Sequence, residues 1–273
     1  MGTTPIDQIF SSLGGIQHLL LAAAFSIARM LGLVMVFPLF TRMPLTGIVR
    51  NGVLLAFAVP IFPMVSQTLA ASGLTTTLIA VYLLKEAVLG IVIAIVLGIP
   101  FWAAEGAGEV LDLQRGTTMS TLIDPMMTHE TSAVGTFLVI TMLVIFLAAG
   151  GLELTLDTLY ASYEIWPIDR FFPVFGPETA AIFLSLLTRL TLMALTLIFP
   201  LFVTMLVSDI ALAFLARAAP HFNVFALSLV VKAGVFSLVF LLYSSFLVQY
   251  LAADLGFLRG GVPLLEIIGC KNC

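Results

Sequence analysis

The sequence predicts an all-α integral membrane protein, and three observations carry that expectation. Hydrophobic residues make up 61% of the 273 and charged residues only 10%, against roughly 45–50% and 25% in soluble domains. Six apolar segments punctuate the chain, several of them reaching the roughly 20 residues that cross a hydrocarbon core. None alternates as a barrel strand does, so a helix is the remaining way for backbone N–H and C=O groups in lipid to satisfy one another.

Taken in order, the helices are expected over Gly15–Phe37, Val53–Val65, Leu78–Trp102, Val134–Ala149, Ala181–Leu206 and Val224–Tyr250. The second is short and bracketed by Pro60 and Pro63, so a full span is not expected of it. A further stretch, Leu152–Trp166, carries Glu153, Asp157 and Glu164 and reads as an amphipathic or interfacial helix. Among the connections, Pro38–Gly52 holds Arg42 and Arg50, which suits a cytoplasmic loop. Glu164–Glu178 sets three prolines among aromatics, which suits an interfacial one. With an outside N-terminus, Arg42, Arg50, Arg115 and Arg217 lie inside and Arg170, Arg259 and Lys271 outside. That bias is too small to fix an orientation. No repeat or low-complexity tract divides the chain, which reads as a single helical membrane domain over 1–273 with 260–273 as a tail.

Several function classes drop out on composition. A net charge of −4 and a pI near 5.3 offer nothing to a phosphate backbone, so nucleic acid is not an expected partner. Asp7 precedes the first basic residue, Arg29, so a cleaved signal peptide is not expected. Both cysteines, Cys270 and Cys273, stand in a lone CxxC with no second Cys/His pair, a weak redox or metal signal. No GxxxxGK[ST] phosphate loop is present, and no cofactor or metal is expected.

Charges inside the apolar segments are the informative exceptions: Arg29, Lys85, Glu86, Arg189 and Lys232. A central charge costs at least about 2.5–3.5 kcal/mol to insert, so each is expected to face protein or water, or to snorkel. Snorkelling suits Arg29 and Lys85 best. Lys85 and Glu86 are neighbours, about 100° apart on a helix, and read as poor partners for each other. Each is expected to find its counter-charge on another helix or another subunit.

The stretch "WAAEGAGEVLDLQRG", Trp102–Gly116, concentrates Glu105, Glu109, Asp112 and Arg115 where the third apolar run ends. At 100° per residue Glu105, Glu109 and Asp112 share one face with Gly98, Phe101 and Gly108, while Val110 and Leu111 lie off it. Small residues let another backbone approach closely. Three readings stay open. Catalysis or metal binding lacks a nearby histidine, since His18, His129 and His221 all stand apart. A cation or proton path fits intramembrane acids. A polar seam against partner subunits fits the glycines as well.

Two long stretches, "KEAVLGIVIAIVLGIPFWAAEGAGEVLDLQRG" (Lys85–Gly116) and "VSDIALAFLARAAPHFNVFALSLVVKAG" (Val207–Gly234), resemble signature regions of the T-type subunit of the type III secretion export apparatus. A weaker match runs over Phe37–Ala58. Asp209, Arg217, Pro220, Asn223, Phe225 and Lys232 sit where that family's pattern puts them. Arg115 with Lys232 favours the injectisome branch over the flagellar one. The resemblance implies a fold like a fusion of the R- and S-type subunits, with hydrophobic helices lifted partly out of the bilayer plane. It implies assembly with R- and S-type subunits, and with other export apparatus proteins, into an inner-membrane gate for unfolded proteins. Proton-motive force and a separate ATPase would supply the energy. On this reading Lys85, Glu86, Glu105, Glu109, Asp112, Arg115, Asp209, Arg217 and Lys232 are inter-subunit or gating charges. The segment Gly116, Thr117, Thr118, Met119, Ser120, Thr121, Leu122, Ile123, Asp124 and Pro125 corresponds to the plug that rests in the pore. The alternative is a proton-coupled secondary transporter, whose midplane acids and broken helices look similar.

Overall fold

A computed structural model describes residues 5–43, 45–72, 76–116, 132–170, 179–219, 221 and 223–268. Every regular element among the described residues is helical. In chain order they are α1 (Pro5–Val36), α2 (Pro38–Thr41), α3 (Gly47–Ala58), α4 (Phe62–Ser72), α5 (Thr76–Arg115), α6 (Ala133–Ala148), α7 (Gly151–Ile165), α8 (Thr179–Ala218), α9 (Val224–Asp254), a 3-10 turn (Leu255–Gly260) and α10 (Gly261–Ile268).

Each expected apolar run is present, and the differences have backbone causes. The short second run is two helices, α3 and α4, bent by 62°. Pro60 lies in the break, and Pro63 sits in the first turn of α4, where a missing N–H costs nothing. The third run does not end at Trp102: α5 continues for 40 residues to Arg115, passing Pro100 on the way. The fifth likewise continues through Pro200 to Ala218, giving α8 40 residues. Hydropathy falls before the helix does, because backbone hydrogen bonding propagates through polar residues as readily as apolar ones. Among the described residues, four helices can cross a membrane by length and composition, Gly15–Val36, Leu78–Arg115, Thr179–Ala218 and Ala226–Asp254, or up to six if bent pairs count as spans. This is an all-α, multi-pass membrane protein.

The chain divides into two compact units. The first gathers Met1–Gly98, Leu152–Phe183 and Leu258–Cys273. Phe25, Met30 and Leu33 of α1, Leu89 and Ile93 of α5, and Leu159 and Tyr163 of α7 are buried in it. α1 and α5 cross backbone to backbone: a Cβ on Gly32 would overlap the carbonyl of Ala87, and one on Gly90 would overlap that of Arg29. α7 is amphipathic as expected, with Glu153, Asp157 and Glu164 exposed and Thr155, Leu159, Ser162 and Tyr163 buried. The expected tail is no loose end over 261–268, where α10 buries Leu265 and Ile268 completely.

The second unit gathers Ile99–Gly151 and Leu184–Phe257. Phe101 of α5 meets Phe146 of α6 edge-on, with ring centroids 5.1 Å apart. Phe137 of α6 meets Phe240 of α9 at 5.8 Å, and Phe240 stacks on Phe236 at 5.2 Å. The long helices differ sharply in burial. The most apolar window of α5 is 67% buried, that of α8 28% and that of α9 only 6%. Leu184, Leu192, Phe199, Leu238, Leu241 and Phe246 are therefore exposed on the chain by itself.

The α1–α5 crossing yields a test. Gly90→Leu places a side chain against a main-chain carbonyl and is expected to lower the thermal midpoint of the detergent-purified protein steeply or to prevent its accumulation. Gly234→Ala meets nothing within 4 Å and is expected to stabilise α9 by about 0.5–1 kcal/mol. Equal melting of the Gly90→Leu variant and wild type would mean that the two helices do not touch there.

Candidate functional site

The candidate charges fall into two clusters, one in each unit. In the first unit, the glycine contacts that bring α1 and α5 together also bring together the side chains one turn away. Arg29 precedes Gly32 by three residues and Glu86 precedes Gly90 by four. Both side chains are 0% exposed, with Arg29 Nη2 2.7 Å from Glu86 Oε2 and Arg29 Nε donating to the same oxygen at 2.8 Å. Nη1 donates to Ser162 Oγ at 2.8 Å and Nη2 to the Trp166 carbonyl at 2.9 Å. The guanidinium lies over the Tyr163 ring, 3.8 Å from its centroid. A buried ion pair is tolerable only when its remaining hydrogen-bonding capacity is met in this way.

Two sequence expectations change here. Neither Arg29 nor Lys85 snorkels, since Arg29 is sealed and the Lys85 side chain is 8% exposed. Lys85 and Glu86 also pair with each other, Nζ to Oε1 at 2.9 Å, despite their separation around the helix. Glu86 gives one carboxylate oxygen to each cation, and the long lysine stem curls back to reach the second.

In the second unit, Asp112 is 3% exposed and sits at the start of α6. Its Oδ2 accepts from Ser132 Oγ at 2.7 Å and from the Val134 N–H at 3.0 Å. Ser132 is the N-cap of α6, its Oγ also accepting from the Gly135 N–H at 2.8 Å. A carboxylate is well placed at this positive helix end. The approach depends on Gly108, where a Cβ would overlap the Gly135 backbone. Asp112 Oδ1 accepts from Arg115 Nη2 at 2.6 Å, and the Arg115 guanidinium carbon lies 4.8 Å from the Phe236 ring centroid on α9. Beside it, Lys232 Nζ of α9 stands 2.7 Å from Asp209 Oδ1 of α8, and Gln114 of α5 joins them. Its side-chain amide donates to Asp209 Oδ2 at 3.2 Å, and its carbonyl accepts from Lys232 at 3.2 Å. Four helices, α5, α6, α8 and α9, are thus tied at the C-terminal end of α5. Gly116, at φ +83°, ends that helix in the left-handed conformation glycine favours, its N–H bonded to the Asp112 carbonyl at 3.1 Å.

The acidic stripe expected on one face divides. Ala104, Gly108, Leu111 and Asp112 form the buried side, Glu105 is half-buried at its edge and Glu109 is exposed. Leu111, expected off the contact face, is fully buried, because the packed face is centred about 80° away from the acidic stripe. Arg217 is exposed near the end of α8. Lys85, Glu86, Asp112, Arg115, Asp209 and Lys232 therefore each have a partner inside the chain. Thr117–Pro125, His129, Cys270 and Cys273 lie outside the described residues. Among the described residues, no three His, Cys, Asp or Glu side chains gather as metal ligands. Sequence reasoning missed Ser132 and Gln114. Ser132 was findable, as a serine directly before an apolar helical run; Gln114 had no local signal.

These features define a class: a multi-pass helical membrane protein whose buried charges are clasped within the chain and whose last two long helices are left largely unburied. The chain belongs to the family described as bacterial export proteins, family 1, which matches residues 20–257. It is 32% identical over 231 residues to Yop proteins translocation protein T of Yersinia pestis, covering 84% of this chain and 87% of that one. It is 33% identical over 231 residues to surface presentation of antigens protein SpaR of Salmonella typhimurium, covering 84% and 85%. Flagellar biosynthetic protein FliR of Bacillus subtilis is 29% identical over 152 residues, or 55% of this chain and 59% of that one.

Asp112→Ala removes the cap of α6 and leaves the Arg115 cation without its carboxylate. A loss of about 2–4 kcal/mol is expected, read as a lowered thermal midpoint in detergent. Asp112→Asn, which keeps an acceptor for Ser132 or Val134, should lose less. Equal and negligible effects of both would remove Asp112 from the clasp.

Proposed function

We propose that this chain is the T-type subunit of the inner-membrane export gate of an injectisome-type type III secretion system, and that it assembles with R- and S-type subunits to form and gate the channel for unfolded proteins. The observation that carries this is the likeness, over more than four fifths of the chain, to Yop proteins translocation protein T and SpaR. The flagellar FliR relatives match at lower identity, 29% and 26%. The physical arrangement supports the reading. A chain that pairs its charges internally and leaves α8 and α9 apolar and uncovered is suited to burying those faces against neighbouring helices or lipid. No chemical step is assigned to any of its residues; its work is to line, hold and gate a path.

Glu109 and Arg217, both exposed, are the charges placed to meet neighbouring subunits. Gly116–Pro125 is the proposed resting plug, hung from the glycine that ends α5. The clasp joins α5 to α6, α8 and α9, and so fixes the end of α5 at Gly116, where that segment begins.

Native mass measurement of the detergent-extracted protein tests the assignment. The expected species is a hetero-oligomer containing R- and S-type subunits. A lone chain that exchanges a small solute for protons in liposomes would overturn the proposal in favour of a secondary transporter. Deleting Thr117–Thr121 is expected to leave that mass unchanged and to raise ion leak through the resting complex; unchanged conductance would remove the plug assignment.

A further inference from the structure

Five consecutive main-chain carbonyls, those of Trp166 through Arg170, all accept from side chains of α1 and α5. Trp166 accepts from Arg29 at 2.9 Å, Asp169 from the Tyr82 hydroxyl at 3.3 Å, and the other three from one group, the Lys85 ammonium. Around Lys85 Nζ stand the carbonyls of Pro167 and Ile168 at 3.2 Å, that of Arg170 at 2.9 Å and Glu86 Oε1 at 2.9 Å. The Tyr82 ring face closes another side, with its centroid 5.2 Å away. An ammonium has three N–H donors, so four oxygens and a π face exceed what directed hydrogen bonding can use. Carboxylate, carbonyl dipoles and ring quadrupole are electronegative sides; the nearby cation is Arg29, which Glu86 answers with its other oxygen. The turn follows the C-terminus of α7, whose dipole adds further negative potential.

We propose that the Pro167–Arg170 turn with Glu86 is a monovalent-cation cage, and that the Lys85 ammonium is its tethered occupant. What the turn requires from position 85 is a compact positive charge of ammonium size, not a set of hydrogen-bond donors. The chemical class of ligand that fits is ammonium or potassium. Carbonyl oxygens replace the hydration shell of a potassium ion in channel filters. Magnesium and calcium need oxygens at roughly 2.0–2.6 Å, closer than this cage offers. Lys85 is thereby a positioning residue: it fixes the turn that leads from α7 toward α8, and it does so whatever the chain's role in secretion.

The test is cation-specific rescue. Lys85→Met empties the cage while keeping an apolar stem. Lys85→Gln restores donors without charge. Each variant is purified as the detergent-extracted complex in potassium and then exchanged into sodium or lithium at equal ionic strength. In sodium, both are expected to melt roughly 5–10 °C below wild type. Ammonium or potassium should restore the midpoint saturably, and wild type should be indifferent to the cation. The cage is refuted if Lys85→Gln melts like wild type in sodium, or if lithium, sodium, potassium and ammonium act alike on Lys85→Met. Failure of both variants to accumulate in potassium-rich cells would count equally against it, because the tether rather than the charge would then be indispensable.

Discussion

A single ion pair shut away from water, Arg29 with Glu86, sets the terms for the first unit. Two full charges among apolar helices are tolerable only if every remaining donor and acceptor is met. The requirement propagates outward. Gly32 and Gly90 must be small so that the helices carrying the pair can touch. Ser162 and Trp166 of the α7 region must supply oxygens, and Tyr163 a ring face. Glu86, shared with Lys85, then draws in the following turn. α1, α5 and α7 are held by one connected set of polar contacts, with apolar packing filling the space around it.

The second unit repeats the logic with different chemistry. Its polar groups collect at the end of α5, where Asp112 and Ser132 satisfy N–H groups of the first turn of α6 that have no partner within the helix, and Asp209 answers Lys232. With these charges answered locally, α8 and α9 leave large apolar side chains such as Leu184, Phe199, Leu238 and Phe246 exposed. For a subunit of a membrane export gate, that division has a consequence. Helices in lipid associate through close packing of their faces, and α8 and α9 offer exposed apolar faces of that kind. The clasp decides only the shape that is presented.

Fold class, the apolar runs and the family were legible because hydropathy, composition and two long stretches of sequence report on them directly. Helix ends were not: α5 and α8 outrun their apolar segments, since a hydropathy window senses lipid preference and not backbone continuity. The partners of the buried charges were illegible for a different reason. Arg29 meets Ser162 133 residues away, and Lys232 meets the Gln114 carbonyl 118 residues away, and only the tertiary fold supplies those distances. Adjacency misled at Lys85–Glu86, where helical angle ruled out a pairing that a flexible side chain makes easily. Asp112, by contrast, was visible as an anomaly, and the glycines beside it correctly pointed to a close backbone approach. Its neighbour proved to be α6 of the same chain.

That last point is the centre of the account, and charge exchange at Asp209 and Lys232 tests it most directly. Asp209→Lys and Lys232→Asp each place like charges face to face, and each should reduce assembly of the export complex and secretion through it. If the pair lies within one chain, the double exchange restores both to near wild-type levels, because the two charges trade places over the same 2.7 Å contact. If the two residues answer to different subunits, the double variant will be at least as defective as the worse single one. That result would contradict the claim that the charges are clasped within the chain.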